Sequence, residues 1–370
     1  MKFDMGQRKM YLAALILLVV AIALVCAWQL WFKGDGADKP QPVPTVAASV
    51  SPWGEFRTTQ PDATPEATDI AETGANVDTV VYYQDNYGYL VPVMCSVPLE
   101  DGIAKATLSM MVSSGQNDMQ AARLGLRTVI PQNVSIDLDI SGGKARIDLS
   151  KEAMKHEDAA SEANMVSAIV QTLTEFDTVS SVDFLFGGQK VSTLPHGTDV
   201  SKTMRRGDIN LETTAVSTSA GSGMNKLTLY FPGESASVVV PVTRMVYSKP
   251  DIDTAVLELA KGPASDALDN VIPDGCGLID VSVENGVARI NFTAEFMQIV
   301  NNIDGGRLAL KALVATCAQF DGVKNVEILV EGEKWSPDEE PMSAPSFANI
   351  ADDIGYNYIQ TQSSAIFEGE

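Results

Sequence analysis

Histidine is almost missing from this chain, with two in 370 residues, His156 and His196. Both lie in polar segments and read as solvated surface residues. There is no HExxH, no CxxC and no paired histidine at ligand spacing, which removes the usual zinc sites and histidine-based triads. Cysteine is sparse as well: Cys26, Cys95, Cys276 and Cys317. Four thiols, one of them in an apolar run near the N-terminus, do not make a disulfide framework. Basic residues are few, 26 against 48 acidic ones, for a net charge of −22. That balance excludes a nucleic-acid binder, which needs clustered Lys and Arg, and disfavours adsorption to an anionic membrane surface or wall polymer. No glycine-rich phosphate loop is present, and Gly221-Ser222-Gly223 sits in a linker rather than at a strand-to-helix nucleophile elbow.

Long apolar runs are lacking with one exception. Met10–Phe32 holds no charge, and as a helix it spans about 34 Å, enough for a bilayer core of ~30 Å. Tyr11 and the pair Trp28 and Trp31 mark its ends. Lys2, Arg8 and Lys9 precede it, so the positive-inside rule places residues 1–9 in the cytoplasm and the bulk outside. Two rival readings are a cleaved signal peptide at Ala21-Ile22-Ala23 and a lipoprotein signal ending at Cys26. The run continues well past a typical signal core, and Val25 is not the small residue a lipoprotein site wants. The sequence therefore predicts a retained transmembrane anchor over 10–32.

Residues 33–77 are rich in Pro, Thr, Ala and acid, and read as a disordered stalk. Beyond it the chain repeats itself. Gly-Lys-Ala-Arg-Ile-Asp-Leu-Ser at 143–150 returns as Gly-Val-Ala-Arg-Ile-Asn-Phe-Thr at 286–293. Leu90-Val91-Pro92-Val93 returns as Val239-Val240-Pro241-Val242, and Val129-Ile130-Pro131 as Val271-Ile272-Pro273. Alternation at 133–140 and 144–149 predicts a hairpin, and Met165, Ile169, Leu173 and Phe176 predict a helix over 158–176. The spacing gives two modules, 78–200 and 225–336, joined by a Ser/Thr/Gly-rich linker at 201–224 and followed by an acidic, disordered tail at 337–370. The expected fold is α+β: two tandem β-β-α-β-β-α-β modules with helices on one face of an antiparallel sheet. Pro92 and Pro241 place the second strand of each module at a sheet edge.

Little in either module suggests chemistry. Asp137, Asp139 and Asp148 lie on the polar side of the hairpin and invite a glycosidase reading. Asp280 repeats Asp137, but Asn291 replaces Asp148, so the pair is not shared by both copies. Cys317 falls on the apolar face of its helix and reads as a small buried hydrophobe. The charge that both copies keep is Arg146 and Arg289, pointing away from the apolar face, and these two are the candidate partner surface.

A chain with an N-terminal anchor and two such modules resembles the GerMN domain family. The residues that carry the likeness are Tyr83 or Tyr230 in the first strand, the Pro-bearing second strands, Val-Ile-Pro before the hairpin and Ala-Arg-Ile within it. The resemblance implies a fold similar to the ring-building modules of secretion systems. It implies no enzyme activity, no cofactor and no metal. It implies a role in sporulation and germination, with other sporulation envelope or channel proteins as partners between mother cell and forespore, and no small-molecule substrate or nucleic acid. The expected location is the cell membrane, single-pass, with the bulk extracytoplasmic. The alternative is a cell-envelope protein that binds or hydrolyses peptidoglycan.

Overall fold

The structure is a computed structural model that describes residues 76–98, 102–212, 223–233, 238–301, 303–335, 342–343 and 347–351. All of these lie in one unit, Ala71–Glu370. No helix among the described residues is long and apolar enough to cross a membrane, and the apolar run at 10–32 and the stalk lie outside them, apart from Asn76 and Val77 at the start of the first strand.

The first module opens with an antiparallel hairpin, β1 (Asn76–Gln84) and β2 (Leu90–Pro98). Its turn closes on Asp85, whose carboxylate accepts from the backbone N–H groups of Tyr87 (2.9 Å) and Tyr89 (2.8 Å). Two short helices follow, α1 (Ile103–Ser109) and α2 (Gly115–Arg123). Then come β3 (Ile136–Ser141) and β4 (Lys144–Leu149), turned by Gly142 and Gly143. Both glycines have positive φ, 57° and 79°, which side chains resist. The long helix α3 (Ala159–Leu173) begins at Asp158, which forms a capping box with Ser161. It leads to β5 (Ser181–Phe186).

The second module repeats the plan. Its hairpin is β6 (Asn225–Pro232) and β7 (Val239–Val246), followed by α4 (Ile252–Ala260). Then come β8 (Leu278–Glu284) and β9 (Val287–Phe292), turned by Asn285 and Gly286, also at positive φ. A 3-10 turn (Ala294–Asn301) and α5 (Ile303–Ala318) lead to β10 (Asn325–Val330). Two short strands are added here, β11 (Glu333–Trp335) and β12 (Met342–Ser343), both antiparallel to β10.

The Ala-Arg-Ile strands form the floor of each core. Ala145, Ile147 and Leu149 in β4, and Ala288, Ile290 and Phe292 in β9, are buried. In the first module the helix above supplies Met165, Ile169 and Leu173, and in the second Ala309, Leu313 and Cys317, all buried. Each of the Leu, Ile, Met and Phe side chains among them contributes roughly 1.5–3 kcal/mol by leaving water, and each alanine methyl about 0.8 kcal/mol.

Three departures from the sequence reading have physical causes. The sheets are mixed rather than wholly antiparallel: β4 pairs with β5, and β9 with β10, in parallel. A strand, a helix laid across the sheet and a returning strand place the two strands side by side in the same direction. Each module also holds a separate two-stranded hairpin beside its larger sheet. Finally, α2 has no apolar stripe, since Ala121 is the one buried residue in it, so hydrophobic periodicity gives it no signal.

Candidate interaction surface

Arg146 and Arg289 stand at equivalent points on the polar faces of the larger sheets. Arg146 is exposed and lies in register between Asp139 on β3 and Asp183 on β5. The Asp183 carboxylate is held below the ordinary range by a hydrogen bond with Thr203, with Lys144 adding a second at 3.2 Å. Arg289 is tied down more fully. Its Nε donates to Glu327 Oε2 and its Nη1 to Glu284 Oε2, each at 2.8 Å. Lys334 reaches the other Glu327 oxygen at 2.6 Å. The bonds from Lys334 and Arg289 hold the Glu327 carboxyl low although burial pushes it up. The two arginines are not brought together: the modules meet through β2 and β7, which belong to the small hairpins.

The carboxylates of the hairpin have a structural role that accounts for the Asp-to-Asn exchange. Asp148 Oδ1 accepts from the Gly188 N–H at 3.0 Å. Asn291 Oδ1 accepts from the Gly332 N–H at 2.9 Å, in the matching turn after the last core strand. Either side chain supplies the one oxygen this turn needs. Asp137 faces Asp148 directly across the ladder, and Asp280 faces Asn291. Among the described residues no group of three His, Cys, Asp or Glu is placed to hold a metal ion.

Of the two histidines, His196 is exposed, as its polar segment predicts. His156 is half-buried, with Nε2 3.2 Å from Met165 Sδ, and burial lowers its pKa. Sequence reasoning missed their neighbour Glu162, a fully buried acid on α3. Its carboxylate accepts the backbone N–H groups of His196 (2.9 Å) and Thr198 (3.0 Å). Burial raises its pKa and these bonds lower it, with a net shift downward. Cys95 is buried with its Sγ donating to the Val93 carbonyl at 3.7 Å, Cys276 and Cys317 are free thiols, and burial pushes Cys317 up to about 12.

The contact between modules is a reciprocal one that the sequence pattern hides. Asn210, in the segment after the first module, binds the backbone of that module's own β2: its Oδ1 accepts from Leu90 N–H (2.9 Å) and its Nδ2 donates to Leu90 O (2.8 Å). The same Nδ2 donates to Pro241 O of the other module at 2.7 Å. Asn349, after the second module, does the converse. Its Oδ1 accepts from Val239 N–H (2.9 Å), and its Nδ2 donates to Val239 O (2.8 Å) and across to Pro92 O (3.0 Å). Leu90 and Val239 each lie two residues before the strand proline. The Pro-bearing edges that the sequence placed at the sheet margins are thus joined by two buried or half-buried asparagines rather than by a direct ladder. Both asparagines lie in stretches that composition assigns to a linker and a disordered tail.

Further contacts secure this seam. Arg206 Nη2 donates to the Tyr82 hydroxyl at 2.8 Å, and that hydroxyl bonds Glu175 at 2.6 Å. Arg244 on β7 holds Glu212 with two bonds, 2.6 and 2.9 Å. The tyrosine equivalence is also corrected: Tyr82, not Tyr83, matches Tyr230. Tyr82 pairs with Pro92 and Tyr230 with Pro241, and their N–H groups donate to Thr172 and Thr316 hydroxyls on the long helices. Beside Asn210 lies an open cleft of about 460 Å³, lined among others by Tyr87, Tyr89, Asn164, Asp208 and Leu211.

Comparison with known proteins agrees with this architecture. The Spore germination protein GerM of Bacillus subtilis (strain 168) is 29% identical over 304 residues, covering 77% of this chain and 82% of that protein. The solved structure of the tandem GerMN domains of the sporulation protein GerM from Bacillus subtilis matches with a TM-score of 0.59 at 27% identity, covering 75% of this chain and 99% of that one. The Germane family, described as sporulation and spore germination, matches residues 80–192 and 228–335, one stretch per module and more than half of the sequence together. With both repeats matched in order, the chain belongs to the Germane family of sporulation and spore germination proteins.

Proposed function

We propose that this chain is a non-enzymatic, membrane-anchored assembly protein of sporulation and germination. It supports an extracytoplasmic envelope complex between mother cell and forespore through its paired modules. The observation that carries this reading is the use made of the polar residues the two copies share. Asp148 and Asn291 serve the same turn, Arg289 is absorbed in an ion-pair network, and Asn210 and Asn349 fasten one module to the other. A duplicated fold whose common polar residues build structure is suited to presenting surfaces. The partner surface on this reading is the polar sheet face around Arg146 and Arg289, and the partners are other sporulation envelope or channel proteins. The charge-free run at 10–32, with basic residues before it, supports a single-pass anchor with the bulk outside the cytoplasm.

Affinity purification from sporulating cells tests the proposal. Co-purification of envelope sporulation proteins, lost with Arg146→Glu in a chain that keeps its melting temperature, is the expected outcome. Recovery of no such partner, together with normal spore yield in a deletion strain, overturns it. The cluster Asp137, Asp139 and Asp148 on the open face favours one second reading, binding or hydrolysis of peptidoglycan. Co-sedimentation with cell-wall sacculi and release of muropeptides decide that reading directly.

A further inference from the structure

The strand at the end of a sheet keeps one row of backbone groups unpaired, and folded proteins cover or distort such edges. In the first module the outer side of β5 is closed by the segment at Met204, which exchanges two backbone bonds of 2.8 Å with Val182. In the second module β11 and β12 line β10, and β8 carries a register shift between Leu278 and Asp280. A bulge of that kind twists an edge out of pairing. β3 has neither protection. It ends its sheet, its register with β4 is continuous from Ile136 to Ser141, and no other described strand or bridge lies along its outer side.

The ladder fixes what β3 offers. Ser150 N–H donates to Ser135 O at 3.0 Å, so by alternation Asp137, Asp139 and Ser141 turn their backbone groups to β4, while Leu138 and Ile140 turn theirs outward. Leu138 is half-buried and Ile140 is 38% exposed, so the aliphatic face is left uncovered toward this margin. On the polar face Asp137 and Asp139 are exposed. Asp139 lies opposite Arg146, but Asp137 lies opposite Asp148, a like-charge pair. A strand added here gains from a cation opposite Asp137 and from aliphatic side chains opposite Leu138 and Ile140. We infer that β3 accepts an extended segment of a separate protein in which aliphatic residues alternate with Lys or Arg. A second copy of this chain does not fit, because its own β3 and β8 edges carry Asp137, Asp139, Asp280 and Glu284 and would set acid against acid. The C-terminal tail does not fit either, since no Lys or Arg follows Lys334. The inference rests on the assembly reading for the existence of such a partner. Its test uses purified chain and no spores, so the two can fail separately.

The probe is a capped octapeptide of alternating Val and Lys, titrated against the full chain in neutral detergent at about 0.15 M salt, where long-range attraction is screened. Two further peptides carry N-methyl groups on the Val or on the Lys residues. In an added strand one set of amides points at β3 and the other away. One N-methyl peptide is therefore expected to lose about tenfold or more in affinity, and the other to bind within about threefold of the parent. Antiparallel addition silences the Val set and parallel addition the Lys set. Leu138→Pro removes one outward donor, a change that edge strands tolerate, and is expected to weaken binding about tenfold at an unchanged melting temperature. Asp137→Lys relieves the pair with Asp148 and is expected to weaken the Lys peptide about fivefold while favouring a peptide with Glu in place of Lys. The N-methyl pair and Asp137→Lys decide the matter even if Leu138→Pro unfolds. No binding up to about 1 mM, equal binding of the two N-methyl peptides, which is mere adsorption of a cation to an acidic chain, or binding indifferent to Asp137→Lys would each overturn the inference. So would a concentration-dependent dimer of the chain that Leu138→Pro abolishes, since a second copy would then hold the edge.

Discussion

Replacing Arg244 with Met is the sharpest test of how the linker is held. The guanidinium donates to Glu212 Oε2 at 2.6 Å and Oε1 at 2.9 Å, to the carbonyls of Glu258 and Gly262 at 2.8 Å each, and to Glu258 Oε2 at 3.3 Å. The side chains of Arg244, Glu212 and Glu258 are only 11%, 8% and 13% exposed. Met keeps the stem's bulk but loses the guanidinium over Phe231, and it leaves Glu212 with the Ala264 N–H and Glu258 with Lys261 as their remaining partners, and two carbonyls without the Arg244 donor. Removing one partner of a buried ion pair costs about 3–5 kcal/mol, most of it for the charge left behind. For a folded unit of this size, about 3 kcal/mol lowers the melting temperature by roughly 6–12 °C. Calorimetry and urea unfolding measure this, and the triple variant Arg244→Met, Glu212→Gln, Glu258→Gln isolates the charge contribution. It is expected to recover more than half of the loss, because neutral amides are far cheaper to leave buried. An unchanged melting temperature for Arg244→Met, or a coupling to Glu212 below about 0.5 kcal/mol in the double-mutant cycle, would refute the clamp.

Other outcomes follow from the same contacts. Asp148→Asn is expected to leave stability within about 1 kcal/mol or raise it, since it keeps the Gly188 bond and removes the like charge opposite Asp137, whereas Asp148→Ala loses about 0.5–1.5 kcal/mol; urea unfolding compares them. Cys317→Ala is expected to cost about 1–2 kcal/mol as a small buried apolar group, and the buried thiol is expected to label far more slowly with maleimide than the half-exposed Cys276. The folded-state pKa values of Glu162 and His156 both lie below their unfolded values, so both contribute stability at neutral pH that is lost as pH falls. For His156 the loss comes below about pH 6.5, and for Glu162 it comes below the ordinary carboxylate range. Thermal scans from about pH 7 to about pH 2 are expected to show falling melting temperatures, with a flatter limb below about pH 4 in Glu162→Gln.

Much of this fold was legible because its core obeys simple periods. Ile147 and Ile290 alternate with polar neighbours, and Met165, Ile169 and Leu173 recur at helical spacing, so both layers and the duplication could be read. The parallel return of β5 and β10 was missed because alternation fixes a strand's faces and says nothing of its direction. The seam was missed for a different reason. Asn210 and Asn349 work singly, through one amide each, inside segments whose composition reads as linker and tail. A signal did exist: an asparagine between apolar residues follows each module. The alternation of their strands turns both arginines away from the apolar face, where a salt bridge on the open sheet is one expected role; Arg289 takes it with Glu284 and Glu327, while Arg146 stays exposed.

The segment carrying Asn349 has a mechanical consequence. β1 runs antiparallel to β2, so its first residue, Asn76, lies beside Pro98 at the far end of β2. Ile350 lies parallel to the same strand on its other side, heading toward that same end. β2 is therefore flanked on both sides, by the first described strand and by the Asn349 segment that follows the second module. Tension applied between Asn76 and Ile350 acts on β2 from both sides, and through the bonds of Asn349 to Pro92 and Val239 it reaches both modules at once.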